Sequence, residues 1–136
     1  MPDSNSIFPL VVLTPAGPVA SADAVSAVVP AVDGEMGLLT RHSPVVAALG
    51  AGRLWFRDAQ GNERTFFAAG GFAQVRTDGV TVLAEQCVPR ESLDEAAVQA
   101  ELDAAVAGQD LPPSRRAQVI AHARAKLRVA QAREDS

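Results

Sequence analysis

The sequence is short of the residues that chemistry usually needs. Its 136 residues include one cysteine, one lysine, one tryptophan, two histidines and no tyrosine. A lone cysteine, Cys87, permits no internal disulfide and points to a reducing compartment. Placed after the apolar run of "VTVLAEQCVP", it reads as a buried, inert thiol rather than a nucleophile. Two histidines and one cysteine without CxxC or HExxH spacing leave too few ligands for a zinc site. The single lysine, Lys126, lies deep in a helical run, so there is no GxxxxGK[ST] loop to cradle phosphates, and no GxGxxG unit joins a strand to a helix. No apolar stretch approaches the roughly 18 residues of a spanning helix, and "MPDSNSIFPL" carries an acid and no basic leader region. The expectation is a soluble, unsecreted protein that meets a membrane only through a partner.

What the chain does have is apolar bulk, 48% of its residues, built mainly from alanine and valine. That supports one compact domain with an appendage and argues against disorder. Charge is unevenly spread. Residues 1–113 hold six basic and fourteen acidic side chains, a net −8, whereas residues 114–136 hold six basic and two acidic, a net +4. The tail is a cationic arm on an acidic body: a solvated helix face, or a docking surface for an acidic partner or nucleic acid.

From Ile7 to about Val88 short apolar runs alternate with turn residues. "IFPLVVLT" has Pro9 early, which suits an edge or strand-start position, and "PAG" at Pro15 to Gly17 signals a turn. "VSAVVP" supplies another strand. "RLWFRD" and "ERTFFAA" flank Ala59 to Asn62, and "FAQVRT" and "VTVLAE" flank Asp78-Gly79, so both pairs read as hairpins. Gly34 and Gly37 mark positions of positive φ or close approach; Gly50 and Gly52 bracket a turn, and Gly70-Gly71 forms another. Many short strands at this spacing predict an all-β sandwich or barrel over residues 1–88.

Over residues 89–136 the character changes to alanine-rich and helical. Ser92 with Glu95 forms a capping box ahead of a stripe at Leu93, Ala97, Ala100 and Ala104. "AGQDLPPS" ends that helix, and Ser114 caps a second one with Ala117, Ile120, Ala123, Leu127 and Ala130 on one face. Alanine stripes allow close antiparallel packing but bury little area, so the hairpin is weakly held at about 25 cal/mol per Å².

The stretch "VDGEMGLLTRHSPVVAALGAGRL", Val32 to Leu54, offers the one pairing with catalytic flavour, His42 beside Ser43. Adjacent residues point in different directions, and Pro44 biases Ser43 toward extended backbone, so a docking loop is the better reading than a small hydrolase. A nucleic-acid-binding β-domain with a basic helical tail is the remaining alternative. The acidic body repels phosphate, and the basic and aromatic pattern of a stacking platform is missing.

That stretch, followed by "AAGGFAQVRTDGVTVLAEQ", "ESLDEA" and a final "AKLRVAQA", resembles the epsilon subunit of F-type ATP synthases. The family shows G-E-x-G, a His-x-Pro, a Leu-x-x-G leading into a strand, a G-G-(F/I)-x-x-V pair and V-T-V-L-A in this order. The match runs from about Val11 to Leu102. The resemblance implies a flattened β-sandwich of about ten strands followed by two antiparallel helices, with no catalytic group and no cofactor or metal. It implies a rotor stalk subunit seated on the gamma subunit and touching the c-ring, peripheral at the cytoplasmic face of the bacterial inner membrane. Glu35, His42 and Ser43 fall by motif position on the loop at the c-ring and gamma end. The hairpin in the family either lies on the sandwich or extends along gamma toward the alpha and beta subunits, where it blocks hydrolysis. Arg115, Arg116, Arg124, Lys126, Arg128 and Arg133 are then candidates for an acidic segment of beta. Several bacterial members bind ATP at Ile or Leu, Asp, two variable residues, then Arg-Ala. Here Leu93 and Asp94 keep the start of that signature, while Ala97 stands where the arginine belongs, so nucleotide binding is expected to be weak or absent.

Overall fold

Alternation of buried and exposed side chains defines the first strand, β1 (Phe8–Thr14), in which Phe8, Leu10 and Val12 turn inward. The computed structural model describes residues 7–39, 43–108 and 111–132. Among these, β1 is followed by β2 (Gly17–Ala31), β3 (Gly34–Leu38), β4 (Val45–Ala48), β5 (Ala51–Asp58), β6 (Glu63–Arg76) and β7 (Gly79–Pro89). A 3-10 turn at Arg90–Ser92 leads to α1 (Glu95–Ala107) and α2 (Pro113–Gln131).

The strands run β1-β7-β6-β5-β2-β3, and a further β1–β2 pairing closes the first five into a ring. β3 pairs with β2, and β4 pairs with β6. The ring is flattened because its long strands change partners along their length. β2 faces β1 with its first half and β5 and β3 with its second. β6 faces β5 with Glu63 to Ala69 and β4 with Phe72 to Val75, and β7 follows it across both regions. One layer therefore holds β3, late β2, β5, early β6 and late β7; the other holds β4, late β6, early β7, β1 and early β2. Since β2, β6 and β7 each serve both layers, about ten strand segments arise from seven strands, and the mainly-β sandwich with two C-terminal helices stands as expected. Seventeen buried apolar side chains fill the space between the layers, with Phe66, Leu10, Leu38 and Leu54 almost wholly enclosed.

Both hairpins read from the sequence are present. Asp58 shapes the first, its Oδ1 accepting from the backbone N–H groups of Gln60 and Asn62, each at 2.9 Å. The second closes with Arg76 opposite Gly79.

Several local expectations are corrected. Gly70-Gly71 is no turn: both residues lie inside β6, with φ of 73° and 95°, at the point where that strand passes between layers. A Cβ at Gly71 would collide with the carbonyl oxygen of Leu83, so the close β6–β7 crossing requires glycine there. Gly37 has neither positive φ nor a close neighbour, and Gly52 sits within β5 rather than at a turn. Pro9 is at a strand start but not at an edge. β1 is paired on both sides, and its pairing with β7 begins one residue later at Leu10, which spares the missing N–H.

The helices are capped differently from expectation. Ser92 belongs to the 3-10 turn, and Asp94 caps α1, its Oδ1 accepting from the N–H of Ala96 at 3.2 Å. α2 starts on Pro113 rather than from a Ser114 cap, because proline at the first helical position has no N–H to leave unsatisfied. The packed side of α1 is Val98, Leu102 and Ala105, one residue out of phase with Ala97, Ala100 and Ala104, which are exposed. On α2, Ile120, Ala123, Leu127 and Ala130 form the expected inward stripe, while Ala117 is exposed.

Candidate docking surfaces

Two outer faces of the sandwich carry apolar side chains, and among the described residues only one of them is covered. On the first, Phe67 and Ala69 of β6 point away from the core and meet Ala125 and Val129 of α2, with Ala51, Val88 and Leu93 at the margin. Phe67 is completely buried there. α2 thus has a second buried side beyond the stripe that faces α1, and its Ala123, Ala125, Leu127 and Val129 are all enclosed. Four buried residues form this contact against seventeen in the core, which makes it the weaker of the two. Polar contacts reinforce the hairpin. Arg90 Nη1 donates to the carbonyl of Ala132 at 3.0 Å, Arg116 to that of Gly108 at 2.8 Å, and Gln131 Nε2 to Glu95 at 3.2 Å. Lys126 pairs with Glu101 at 3.3 Å.

The opposite face is bare. Pairing registers place Ala48, Phe72, Leu83 and Leu13 in one row across β4, β6, β7 and β1, with Val46, Gln74, Thr81 and Val11 in the next. The alternate residues, such as Ala73, Val82 and Val12, fill the core, so this row must face outward. Val46 is 63% and Phe72 41% exposed. An outward sheet face of this kind is normally polar; an apolar one marks an interaction site. Sequence patterning alone did not single out this row, although Phe72 alternating with buried Ala73 and Val75 was its available signal.

Of the residues assigned by motif, Glu35 and Ser43 fall on different segments. Glu35 lies on β3 opposite Pro30, not on a loop, and its carboxylate accepts from Arg53 Nε at 3.1 Å and Nη2 at 3.3 Å. The structural reason is the early turn at Val32-Asp33, after which Gly34, with φ of 125°, starts the strand. Both partners are substantially exposed, so the pair contributes roughly 0–1 kcal/mol. Ser43 is exposed between β3 and β4, and His42 lies outside the described residues. Glu35 and Arg53 border a cleft of about 330 Å³ beneath α2, which Arg128, Val129 and Ala132 roof.

The cationic arm is divided. Arg116 and Lys126 are engaged within the hairpin, while Arg115 and Arg124 are exposed on nearly opposite sides of α2 and Arg128 reaches the cleft. Arg133 lies outside the described residues. Ala97 is exposed, Leu93 packs beside Phe67, and the Asp94 carboxylate serves the helix cap. Cys87 is half-buried, and burial pushes its thiol up to about 11, with Arg64 pulling the other way; the neutral thiol is the stable form. Among the described residues no three His, Cys, Asp or Glu side chains gather closely enough to hold a metal.

A closed β-sandwich with one face under a helical hairpin and the other face bare defines a docking module. Residues 7–90 match the family model described as "ATP synthase, Delta/Epsilon chain, beta-sandwich domain". The chain belongs to that family. Among its relatives, the ATP synthase epsilon chain of Desulforapulum autotrophicum is 40% identical over 97 residues, which cover 71% of each chain. That of Alkalilimnicola ehrlichii is 39% identical over 79 residues, covering 58% of this chain and 56% of its own. A chain in the cryo-EM structure of the Euglena gracilis mitochondrial ATP synthase superposes with a TM-score of 0.75 at 22% identity, covering 93% of this chain and 78% of its own. That likeness extends the shared fold through the hairpin.

Proposed function

We propose that the chain is a non-catalytic rotor-stalk subunit of an F-type ATP synthase. Its sandwich docks on the gamma subunit and the c-ring, and its hairpin is a regulatory arm that reaches the alpha and beta subunits when released. The observation that carries the docking role is the outward apolar row from Leu13 through Leu83 and Phe72 to Ala48, in which Phe72 and Ala48 are exposed and Leu13 and Leu83 half-buried, with exposed Val46 beside it. It lies on the face opposite the hairpin, so the sandwich can hold gamma while the arm is either down or released. The relatives are epsilon chains, and the Euglena assembly that contains the similar fold comprises OSCP, F1 and c-ring, which supports the same placement.

Regulation by the hairpin is supported by the small contact beneath α2 and by the exposed guanidiniums of Arg115 and Arg124, which suit an acidic site on beta. Glu35, Ser43 and His42 are retained as proposed contacts at the c-ring and gamma end. No described helix is long and apolar enough to cross a membrane, which fits a peripheral position at the cytoplasmic face of a bacterial plasma membrane.

The test is binding to purified gamma subunit. A double variant, Val46→Asp with Phe72→Asp, is expected to weaken binding by about 100-fold, in the range of two interface anchors, while the melting temperature stays within a few degrees. Unchanged affinity would move the gamma contact to another face.

A further inference from the structure

The contact between α2 and the sandwich contains a titratable ring. His122 packs edge-on against Phe67, with centroids 5.1 Å apart and planes at 85°. Phe67 has no exposed surface, and the imidazole is partly enclosed between the helix and the sheet. The charged groups around it come from three elements. On α2, Lys126 follows one turn later, and Arg128 lines with His122 a second cleft between α2 and the sheet, distinct from that at Glu35; α1 contributes Glu101, paired with Lys126 at 3.3 Å; β7 contributes Glu85 to that second cleft. β5 and β6 bring only Ala51, Ala69 and Gly70 to that cleft beside Phe67. The Glu101 carboxylate is already engaged by the ammonium, so the nearest uncompensated demand on an imidazolium is desolvation.

We propose that His122 makes the docking of α2 on the sandwich pH-dependent: the neutral ring packs on Phe67 and holds the helix down, and protonation loosens it. Burial, and then the Lys126 ammonium, hold the imidazole pKa below its ordinary value, with Glu101 opposing. The docked state therefore binds a proton less well than the released state, whose imidazole titrates near about 6.5. Docking is at full strength well above that pH. It weakens as pH falls through the released-state pKa toward the docked one, by at most about tenfold per pH unit in that interval. The inference concerns the isolated chain and does not depend on where a released hairpin goes, so it can fail without touching the rotor-stalk reading.

The experiment uses the full-length chain in two arms. Proton NMR in a His42→Gln background follows the one remaining imidazole, and its midpoint is expected below 6.5. Hydrogen exchange of α2 amides is compared with that of His122→Gln at each pH from 7.5 to 5.5, which cancels the intrinsic pH dependence of exchange. The ratio of wild-type to variant exchange is expected to rise several-fold on acidification, while sandwich amides keep a constant ratio. A flat ratio would overturn the proposal. So would a falling one, as expected if the imidazolium tightens on the Phe67 ring face, and so would a midpoint at or above 6.5. The NMR arm needs no change at position 122, so the midpoint still tests the proposal even if H122Q fails to dock.

Discussion

Gly71→Ala is expected to abolish formation of the native sandwich, at a cost of about 4 kcal/mol or more. Two independent penalties meet at this position. The backbone has φ of 95°, which an L side chain adopts only with strain, and the added methyl would occupy the space of the Leu83 carbonyl on β7. Neither can relax cheaply, because the obstacle is backbone in the largest strand contact of the fold and both layers pivot there. Gly61→Ala is the internal control. It too has positive φ, 88°, but nothing lies within 4 Å of its would-be Cβ, so it should cost only about 1 kcal/mol. Chemical denaturation of the two variants checks the contrast. Equal, small losses would show that β6 does not cross between layers as described.

Phe67→Ala is expected to free the hairpin while leaving the sandwich folded. Truncating a fully buried phenylalanine costs about 3–5 kcal/mol, but here the loss falls on the outer contact with Ala125 and Val129 rather than on the space between layers. At about 3 kcal/mol the docked-to-released ratio falls by more than 100-fold. Amide protection should therefore collapse across α2 and persist in β6 and β7. Loss of protection in both regions together would make the hairpin part of the sandwich's cooperative unit instead of an appendage on it.

These variants also show where the sequence was legible. The two hairpins could be read because Asp58 to Asn62 and Asp78-Gly79 are local turn chemistry flanked by alternating side chains, and both ends of each pairing lie close in the chain. The Gly70-Gly71 crossing could not. A glycine pair signals a turn by itself, and only the long-range pairing of β6 with β5, β4 and β7 keeps the strand going through it. The existence of both helices was plain, but the phase of α1 was not: in a segment so rich in alanine, shifting the stripe by one residue hardly changes its apolarity. Val98 and Leu102 carry the packing because they are the large residues on the side that meets α2. The second buried side of α2 was hidden for a related reason. Its key residues are Ala125, Val129 and a histidine set among arginines, and that pattern reads as a solvated face until Phe67 is placed beneath it. Motif order placed Glu35 on a docking loop, but it could not reveal that the residue lies in β3 and that Arg53, eighteen residues on, takes its carboxylate.

The central claim is that the sandwich alone docks on the stalk and that the hairpin is separable from it. The most direct measurement is ATP hydrolysis by the purified catalytic complex, reconstituted with the full chain or with a chain ending at Pro89, the last residue of β7. Both should bind gamma with similar affinity. Only the full chain should suppress hydrolysis, and added salt should relieve that suppression by screening the arginines of α2. A truncated chain that folds but no longer binds gamma, or that suppresses hydrolysis as well as the full one, would contradict the claim.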